Sequence, residues 1–190
     1  MFNVIYMKSF IRLVVIFFAL VNSSVLCAAQ SQNSSPVGYW LIKTAQGNHD
    51  RSIVRLEKDK SGRMNGYLVA TFYVEGRPWS NSSKCVKCSY GFEGVPLRNM
   101  EIITGLTASG HDWNSVWSGG MVYNADTDKM YKLKVEQVDG GKRLKITGCL
   151  KTIHLCKASY WHRVSSKDLS TYLDKAKSDK QKYTHSVDRS

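Results

Sequence analysis

The fold is decided by the stretch Met130-Tyr-Lys-Leu-Lys-Val-Glu136, which continues through Asp139-Gly-Gly-Lys142 into Leu144-Lys-Ile146. Apolar and charged residues alternate on both sides of the glycine pair. This period of two is typical of strands that bury one face. Glycine supplies the positive φ that a tight turn requires, so the stretch predicts a β-hairpin.

The same stretch predicts the register of the hairpin. A two-residue loop at Gly140-Gly141 pairs Val135 with Ile146 on the inner side and Glu136 with Lys145 on the outer side. A loop that starts one residue earlier would place a second lysine opposite Lys145, and directly opposed like charges are destabilising. We therefore favour the first register.

Short segments of the same kind, separated by turn residues, occupy the rest of the chain between residues 37 and 164. We expect further strands at Val37–Ile42, Ser52–Glu57, Met64–Tyr73, Met100–Leu106, Trp113–Trp117, Gly120–Tyr123 and Ser159–Val164. A long segment, Val74–Arg98, interrupts the series. About nine short strands joined by turns favour an all-β fold, namely an antiparallel up-and-down β-barrel or a strongly curled sheet, formed by one domain at 37–164.

Residues 1–29 have the pattern of a cleavable secretory signal. Lys8 and Arg12 precede the apolar run Leu13–Val21, and Cys27-Ala-Ala29 provides small residues ahead of Gln30. The apolar run is short for a membrane span. We therefore expect a periplasmic or secreted protein that does not span a membrane after cleavage, with a retained N-terminal anchor as the alternative.

Cleavage at that site leaves Cys85, Cys88, Cys149 and Cys156, and an even number of cysteines in an exported chain favours disulfides. Pairing Cys85 with Cys88 and Cys149 with Cys156 needs the least rearrangement, although four cysteines allow three connectivities. The Cys-x-x-Cys spacing also fits half of a zinc site, which stays open as an alternative. A thioredoxin-like role is disfavoured because turn residues follow Cys88 where a helix should begin.

Residues 165–190 form a polar, basic tail, in which Leu169–Lys182 is either a marginal helix or disordered. The chain has a formal net charge of +12, which favours anionic partners such as lipid head groups or an envelope component. A solvated basic surface is the simpler interpretation. The lysines of the hairpin are not interleaved with aromatic residues as in single-strand nucleic-acid binding, so we expect no nucleic-acid partner.

Several short motifs, taken in order, resemble a known bacterial family. They are Gly38-Tyr-Trp40, Ser52-Ile-Val-Arg55, Cys85-x-x-Cys88, Pro96-Leu97, Met100-Glu-Ile-Ile-Thr-Gly-Leu106, Gly119-Gly-Met-Val-Tyr123, Tyr131, Gly140-Gly-Lys-Arg-Leu-Lys145, Gly148 and Trp161-His-Arg163. This series resembles the secreted family catalogued as domain of unknown function 2147, over about Val37–Val164. The resemblance implies a lipocalin-like (calycin-type) β-barrel of the bacterial envelope and assigns no activity. The chain departs from the family pattern at Cys149–Cys156, where the family usually has glycines.

Gly38-x-Trp40 also resembles the opening strand of lipocalins, in which the tryptophan packs under an arginine from the end of the barrel. The resemblance makes Arg163 the candidate partner, and a cation-π contact of this kind contributes on the order of 1 kcal/mol. Trp40 as an ordinary core residue is compatible with this interpretation.

Aromatic residues are the candidates for the lining of a ligand cavity, although such residues also simply fill small barrels. The candidates are Tyr39, Trp40, Phe72, Trp113, Tyr123 and Tyr131. Catalytic patterns are weak, because His49-Asp50 and His111-Asp112 fall in predicted turns and His154 in a predicted hairpin tip. We assign no catalytic residue, no metal and no cofactor.

Three functions therefore remain. The first is a non-enzymatic exported module whose barrel holds a small apolar or amphipathic ligand. The second is a filled barrel that acts in interaction or envelope maintenance through its basic surface or the Cys85 segment. The third, a hydrolytic enzyme, is disfavoured because it needs histidines and carboxylates clustered at a pocket. The oligomeric state does not follow from the sequence.

Overall fold

Nine strands and one long helix form the part of the chain that the computed structural model describes, namely residues 35–47, 49–73, 84–86, 88–110, 115–150 and 155–187. The strands are β1 (Gly38–Lys43), β2 (Asp50–Lys58), β3 (Met64–Thr71), β4 (Glu101–Ala108), β5 (Trp117–Ser118), β6 (Met121–Asn124), β7 (Lys129–Val138), β8 (Arg143–Cys149) and β9 (Cys156–Val164), followed by helix α1 (Ser166–Val187). The predicted signal segment, residues 1–29, lies outside the described residues.

The strands close into an antiparallel up-and-down barrel. Consecutive strands are neighbours, and the last strand, β9, pairs with the first, β1. Both β5 and β6 pair with β4 and β7, so the two short strands occupy one position and the barrel has eight. The predicted barrel is confirmed, because the first and last strands of the sheet pair with each other and close the ring.

Two glycines interrupt the strand position that β5 and β6 share. Gly119 has φ +83°, and a Cβ atom at Gly120 would lie 2.9 Å from the Leu106 backbone nitrogen. Only glycine permits this approach of one strand to the next. The interruption explains why two short strands, and not one continuous strand, fill this position, as the two separate predicted strands in this region imply.

The β7–β8 hairpin has the predicted register, with Val135 opposite Ile146 and Glu136 opposite Lys145. Gly140 and Gly141 have φ of 61° and 82°, which is the backbone of a tight hairpin turn. The Lys142 amide donates to the Asp139 carbonyl at 3.2 Å and closes this turn. Local alternation and turn chemistry therefore predicted this element correctly.

Helix α1 covers the outer face of β1, β2 and β3. The Ser165 hydroxyl accepts from the Asp168 amide at 3.2 Å and caps the first turn. The helix packs Leu169, Tyr172 and Ala176, spaced three and four residues apart, against an outer cluster on the barrel. That cluster contains Leu41, Ile53, Phe72 and Val164. The tail is therefore helical, one of the two alternatives that its sequence left open. Among the described residues, no helix is long and apolar enough to cross a membrane.

Candidate functional site

One end of the barrel is closed by Arg163. Its guanidinium carbon lies 4.2 Å from the centroid of the Trp40 ring, in the arrangement expected from the Gly-x-Trp motif. Trp40 is fully buried, and its indole nitrogen donates to the Pro36 carbonyl at 2.8 Å. We call this end, which also carries the β2–β3 and β7–β8 turns, the closed end.

Arg163 also holds together the chain segments that meet at the closed end. Its side chain donates to the carbonyls of Gly141 at 2.7 Å, Ser35 at 2.9 Å and Val37 at 3.1 Å. Burial lowers the pKa of Arg163, and an arginine side chain keeps its charge in proteins. The planar guanidinium can satisfy three carbonyls and a ring face at once, which a lysine cannot do.

Along β1, β7, β8 and β9, burial of the inward-facing residues decreases from the closed end to the opposite end. Near Trp40 the inner wall is fully buried at Val54, Leu56, Ile103, Val135 and Leu144. At the other end, inward positions are half-buried at Ile42, Tyr131 and Gly148 and exposed at Ser159. Ser159 faces inward because it lies opposite the buried Ile146. We call this second end the open end.

The wall itself also separates at the open end. The pairing of β1 with β9 stops at Leu41 and His162, although β9 begins six residues earlier, at Cys156. From Cys156 to Tyr160, β9 pairs with β8, and all five residues are exposed. Solvent therefore reaches the inner face of β9 on this side of the open end.

Arg51 spans the open end from one side of the ring to the other. Ile42 pairs with Ser52 and Lys43 with Asp50, so Arg51 is the extra residue of a β-bulge. Its guanidinium forms an ion pair with Asp126 and donates to the Asn124 side chain at 3.4 Å. β2 and β6 are separated by β3 and β4 in the ring, so this contact crosses the barrel end.

Only some of the six candidate aromatic residues reach the interior. Trp40 lies inside, at the closed end. Tyr131 also faces inward, because it alternates in phase with the buried Leu133 and Val135, and its hydroxyl lies 3.2 Å from the Thr127 hydroxyl. Trp113 lies outside the described residues.

Tyr39 and Phe72 were predicted to line the cavity, but they lie on the outer face of the barrel wall. Both side chains belong to the cluster between the outer wall and helix α1. Tyr39 alternates with the inward Trp40, and Phe72 packs edge to face on Tyr172 of the helix at 6.2 Å. Their aromatic surface is buried by the helix and is not part of the interior.

Tyr123 also lies on the outer wall. Its neighbour Val122 shares the inward face with Ile103 and Tyr131, so Tyr123 points the other way. It stacks on Phe92 with a centroid distance of 4.4 Å. The segment that contains the first disulfide therefore covers this part of the wall, which corrects the prediction that Tyr123 lines the cavity.

A polar contact joins this segment to the β6–β7 turn. Asp128 accepts hydrogen bonds from the Tyr123 hydroxyl at 2.8 Å, the Ser89 amide at 2.8 Å and the Ser89 hydroxyl at 2.6 Å. Burial, together with the Asp128 carboxylate, raises the pKa of Tyr123 to about 12. The Ser89 hydrogen bonds lower the pKa of Asp128. These hydrogen bonds hold the disulfide-containing segment against the barrel wall, and they place no reactive group inside the barrel.

The described cysteines form two disulfides, Cys85–Cys88 and Cys149–Cys156. The second joins residues directly opposite each other in the β8–β9 ladder. Within the described ranges, no three potential metal ligands come together. Disulfides are typical of an oxidising compartment outside the cytoplasm.

Of the two histidine–aspartate pairs with a weak catalytic pattern, the structure describes His49-Asp50. His49 is exposed and Asp50 forms ion pairs with Lys43 and Lys175, at 3.4 and 2.7 Å. His162 lies on the outer face, opposite Leu41. His111, Asp112 and His154 lie outside the described residues.

Comparison with protein-family models gives a match over residues 38–163 to DUF2147, described as an uncharacterized protein conserved in bacteria. The chain belongs to this family. The family model spans the barrel from its first strand to Arg163, so the family unit and the closed ring coincide. A search of curated proteins found no match.

A solved structure has the same fold as this DUF2147 chain. It is the protein HP1028 of Helicobacter pylori, described as belonging to the lipocalin family, with a TM-score of 0.57 and 19% sequence identity. The alignment covers 72% of this chain and 88% of the other. At this identity the likeness supports the barrel fold and carries no ligand across.

Proposed function

We propose that this protein is an exported, non-enzymatic binding module that holds a small apolar or amphipathic molecule in the open end of its barrel. The gradient of burial along the inner wall carries the proposal. A fully packed, arginine-closed end gives a rigid base, and the less buried inward residues at the opposite end leave apolar surface in contact with solvent. Partly solvated apolar walls with a few polar groups at the rim are typical of ligand sites in barrels.

The composition of the open end supports an apolar or amphipathic ligand. Ile42, Leu133 and Ile146 provide aliphatic surface on the inner wall, and Arg51 and Tyr131 provide polar groups above it. An apolar group that leaves water for such a wall gains about 25 cal/mol per Å² of buried surface. Export is supported by the two disulfides and by the predicted signal at residues 1–29.

A neutral apolar dye tests the proposal directly. N-phenyl-1-naphthylamine increases in fluorescence on entering an apolar site, and we expect the purified protein to bind it with saturation. Ser159→Phe places a bulky ring at an inward, exposed position of the open end and should weaken binding several-fold. Ala158→Phe is the matched control, because Ala158 is exposed on the opposite face of the same strand.

Two results would count against the proposal. One is the absence of saturable dye binding to folded protein. The other is equal weakening by Ser159→Phe and Ala158→Phe, which would place the dye on the outer surface. Native mass spectrometry of protein taken from its own exported compartment gives an independent readout, because a ligand adduct should disappear on denaturation.

A second function is favoured by one observation on the segment that contains the first disulfide. Val86 and Tyr90 in this segment are 54% and 62% exposed, and exposed large apolar side chains are a feature of interaction surfaces. The barrel would then act through this segment in an interaction. A photo-crosslinker at Tyr90, compared with one at the outer-face Lys134, would give an adduct only at position 90 under this alternative.

A further inference from the structure

The side chains of Asp50 and Arg51 reach opposite sides of the barrel wall. The Asp50 carboxylate accepts from Lys175 of helix α1 at 2.7 Å, outside the wall. The Arg51 guanidinium pairs with Asp126 across the open end. Ser52 is paired with the inward-facing Ile42 and is itself buried, so regular alternation would turn Arg51 outward; as the extra residue of the β-bulge, Arg51 can reach the open end instead.

The ion pair between Arg51 and Asp126 stands between the solvent and the inner wall. The side chains of Arg51 and Asp126 are 31% and 18% exposed, so the charges are neither fully solvated nor fully buried. The interior cluster next to Arg51 is aliphatic: Ile42, which pairs with Ser52, packs against it, and Ile146 belongs to it. A cation held at the boundary of an apolar cavity suits a molecule with an anionic head and an apolar tail.

We infer that Arg51 binds the anionic head group of a single-chain amphiphile whose tail enters the barrel, and that this head group takes the place of the Asp126 carboxylate. The inference rests on the proposed function and adds the class of ligand to it. Asp126 lies in the turn between β6 and β7 and not in a strand, so exchange of its carboxylate for a head group breaks no strand pairing. The formal charge of +12 also favours an anionic ligand during encounter.

Competition against the neutral dye distinguishes the inference from the proposed function. Dodecanoate, dodecyl phosphate and dodecanol share one apolar chain and differ only in the head group. For the unmodified protein, we expect the two anions to displace N-phenyl-1-naphthylamine at concentrations about tenfold or more below that of dodecanol, the usual effect of a charge-assisted hydrogen bond. The better of the two anions identifies a carboxylate or a phosphate as the preferred head group.

Three variants assign this preference to a residue. Arg51→Gln should remove the preference for anions while the dodecanol affinity stays the same. Arg55→Gln is the matched control, because Arg55 lies on the same strand with its side chain on the outer face, over the Tyr67 ring at 5.4 Å. Asp126→Asn removes the internal competitor and should tighten dodecanoate binding, a gain that a damaged fold would not produce.

The possible outcomes test the head-group inference separately from the proposed binding function. Saturable dye binding with equal displacement by dodecanoate and dodecanol would overturn the inference and leave the binding module intact. Anion preference that persists in Arg51→Gln, or weaker dodecanoate binding in Asp126→Asn, would also overturn it. If the dye does not bind at all, the proposed function fails and the inference fails with it.

Discussion

The guanidinium carbon of Arg163 lies 4.2 Å from the centroid of the Trp40 ring, and the same side chain donates to the backbone carbonyls of Ser35, Val37 and Gly141. One side chain from the last strand thereby contacts the segment before the first strand and the β7–β8 turn. Arg163 therefore ties three parts of the chain together at the closed end.

Arg163→Lys should lower the free energy of unfolding by about 2 kcal/mol, because an ammonium can neither stack on Trp40 nor reach all three carbonyls. Urea unfolding followed by tryptophan fluorescence measures the change. Arg143→Lys is the control, since Arg143 is exposed and pairs with Asp139 on the surface, where little change is expected. Equal midpoints for the two variants would contradict the role of Arg163.

Tyr123 should ionise at about pH 12 in the folded protein, against about 10 for an unperturbed tyrosine. Because the folded pKa is raised, the stability from this group is fully present below pH 10 and is lost as pH rises toward 12. Absorbance at 295 nm during alkaline titration measures the phenolate. In Asp128→Asn this titration should move toward the ordinary value, whereas Asp139→Asn, at the other end of the barrel, should leave it unchanged.

Gly120→Ala should destabilise the protein by about 2–4 kcal/mol, because the new Cβ would meet the backbone of β4 rather than a side chain that can move. Thermal unfolding by circular dichroism measures this effect. Gly110→Ala is a suitable comparison, since its Cβ would lie 3.4 Å from the Ser115 hydroxyl, an ordinary contact. A Gly120→Ala protein as stable as Gly110→Ala would show that β4 and β6 can separate at low cost.

Tyr172→Ala should loosen helix α1 and lower the free energy of unfolding by about 2 kcal/mol, because the Phe72–Tyr172 ring contact and its buried area are lost. Hydrogen exchange should show the amides of α1 exchanging faster while those of β7 and β8 stay protected. Thr171→Ala, at an exposed position of the same helix, provides the control. Uniformly faster exchange in all strands would mean that the helix supports the entire barrel.

The features that the sequence predicted correctly are those whose sequence patterns span only a few neighbouring residues. The β7–β8 register followed from alternation and two glycines, and the contact between Arg163 and Trp40 was expected from a motif. Tyr39 was misplaced because β1 is apolar on both faces: Trp40 faces inward, whereas Tyr39 and Leu41 face helix α1. A continuous apolar run signals a strand buried on both sides, and the run at residues 39–42 was the available clue.

The open-end ion pair could not be predicted in the same way. Arg51 occupies a position that strict alternation would assign to the outer face, and only the bulge redirects it. Asp126 lies 75 residues later in a turn, so the sequence around one residue does not predict its ion pair with the other. Tyr123 was misplaced for a related reason, because the segment that covers it is remote from β6 in the chain.

Pairing of the first strand with the last has a consequence for the time course of folding. The Arg163–Ser35 hydrogen bond joins residues 128 positions apart, and no shorter fragment of the barrel contains both partners. Contacts between such distant residues carry a high loop-closure entropy and are typical of domains that fold in milliseconds to seconds. Ring closure is therefore expected late, after the local hairpins have formed. During synthesis of the chain, the ring cannot close before β9, the last strand, has been made.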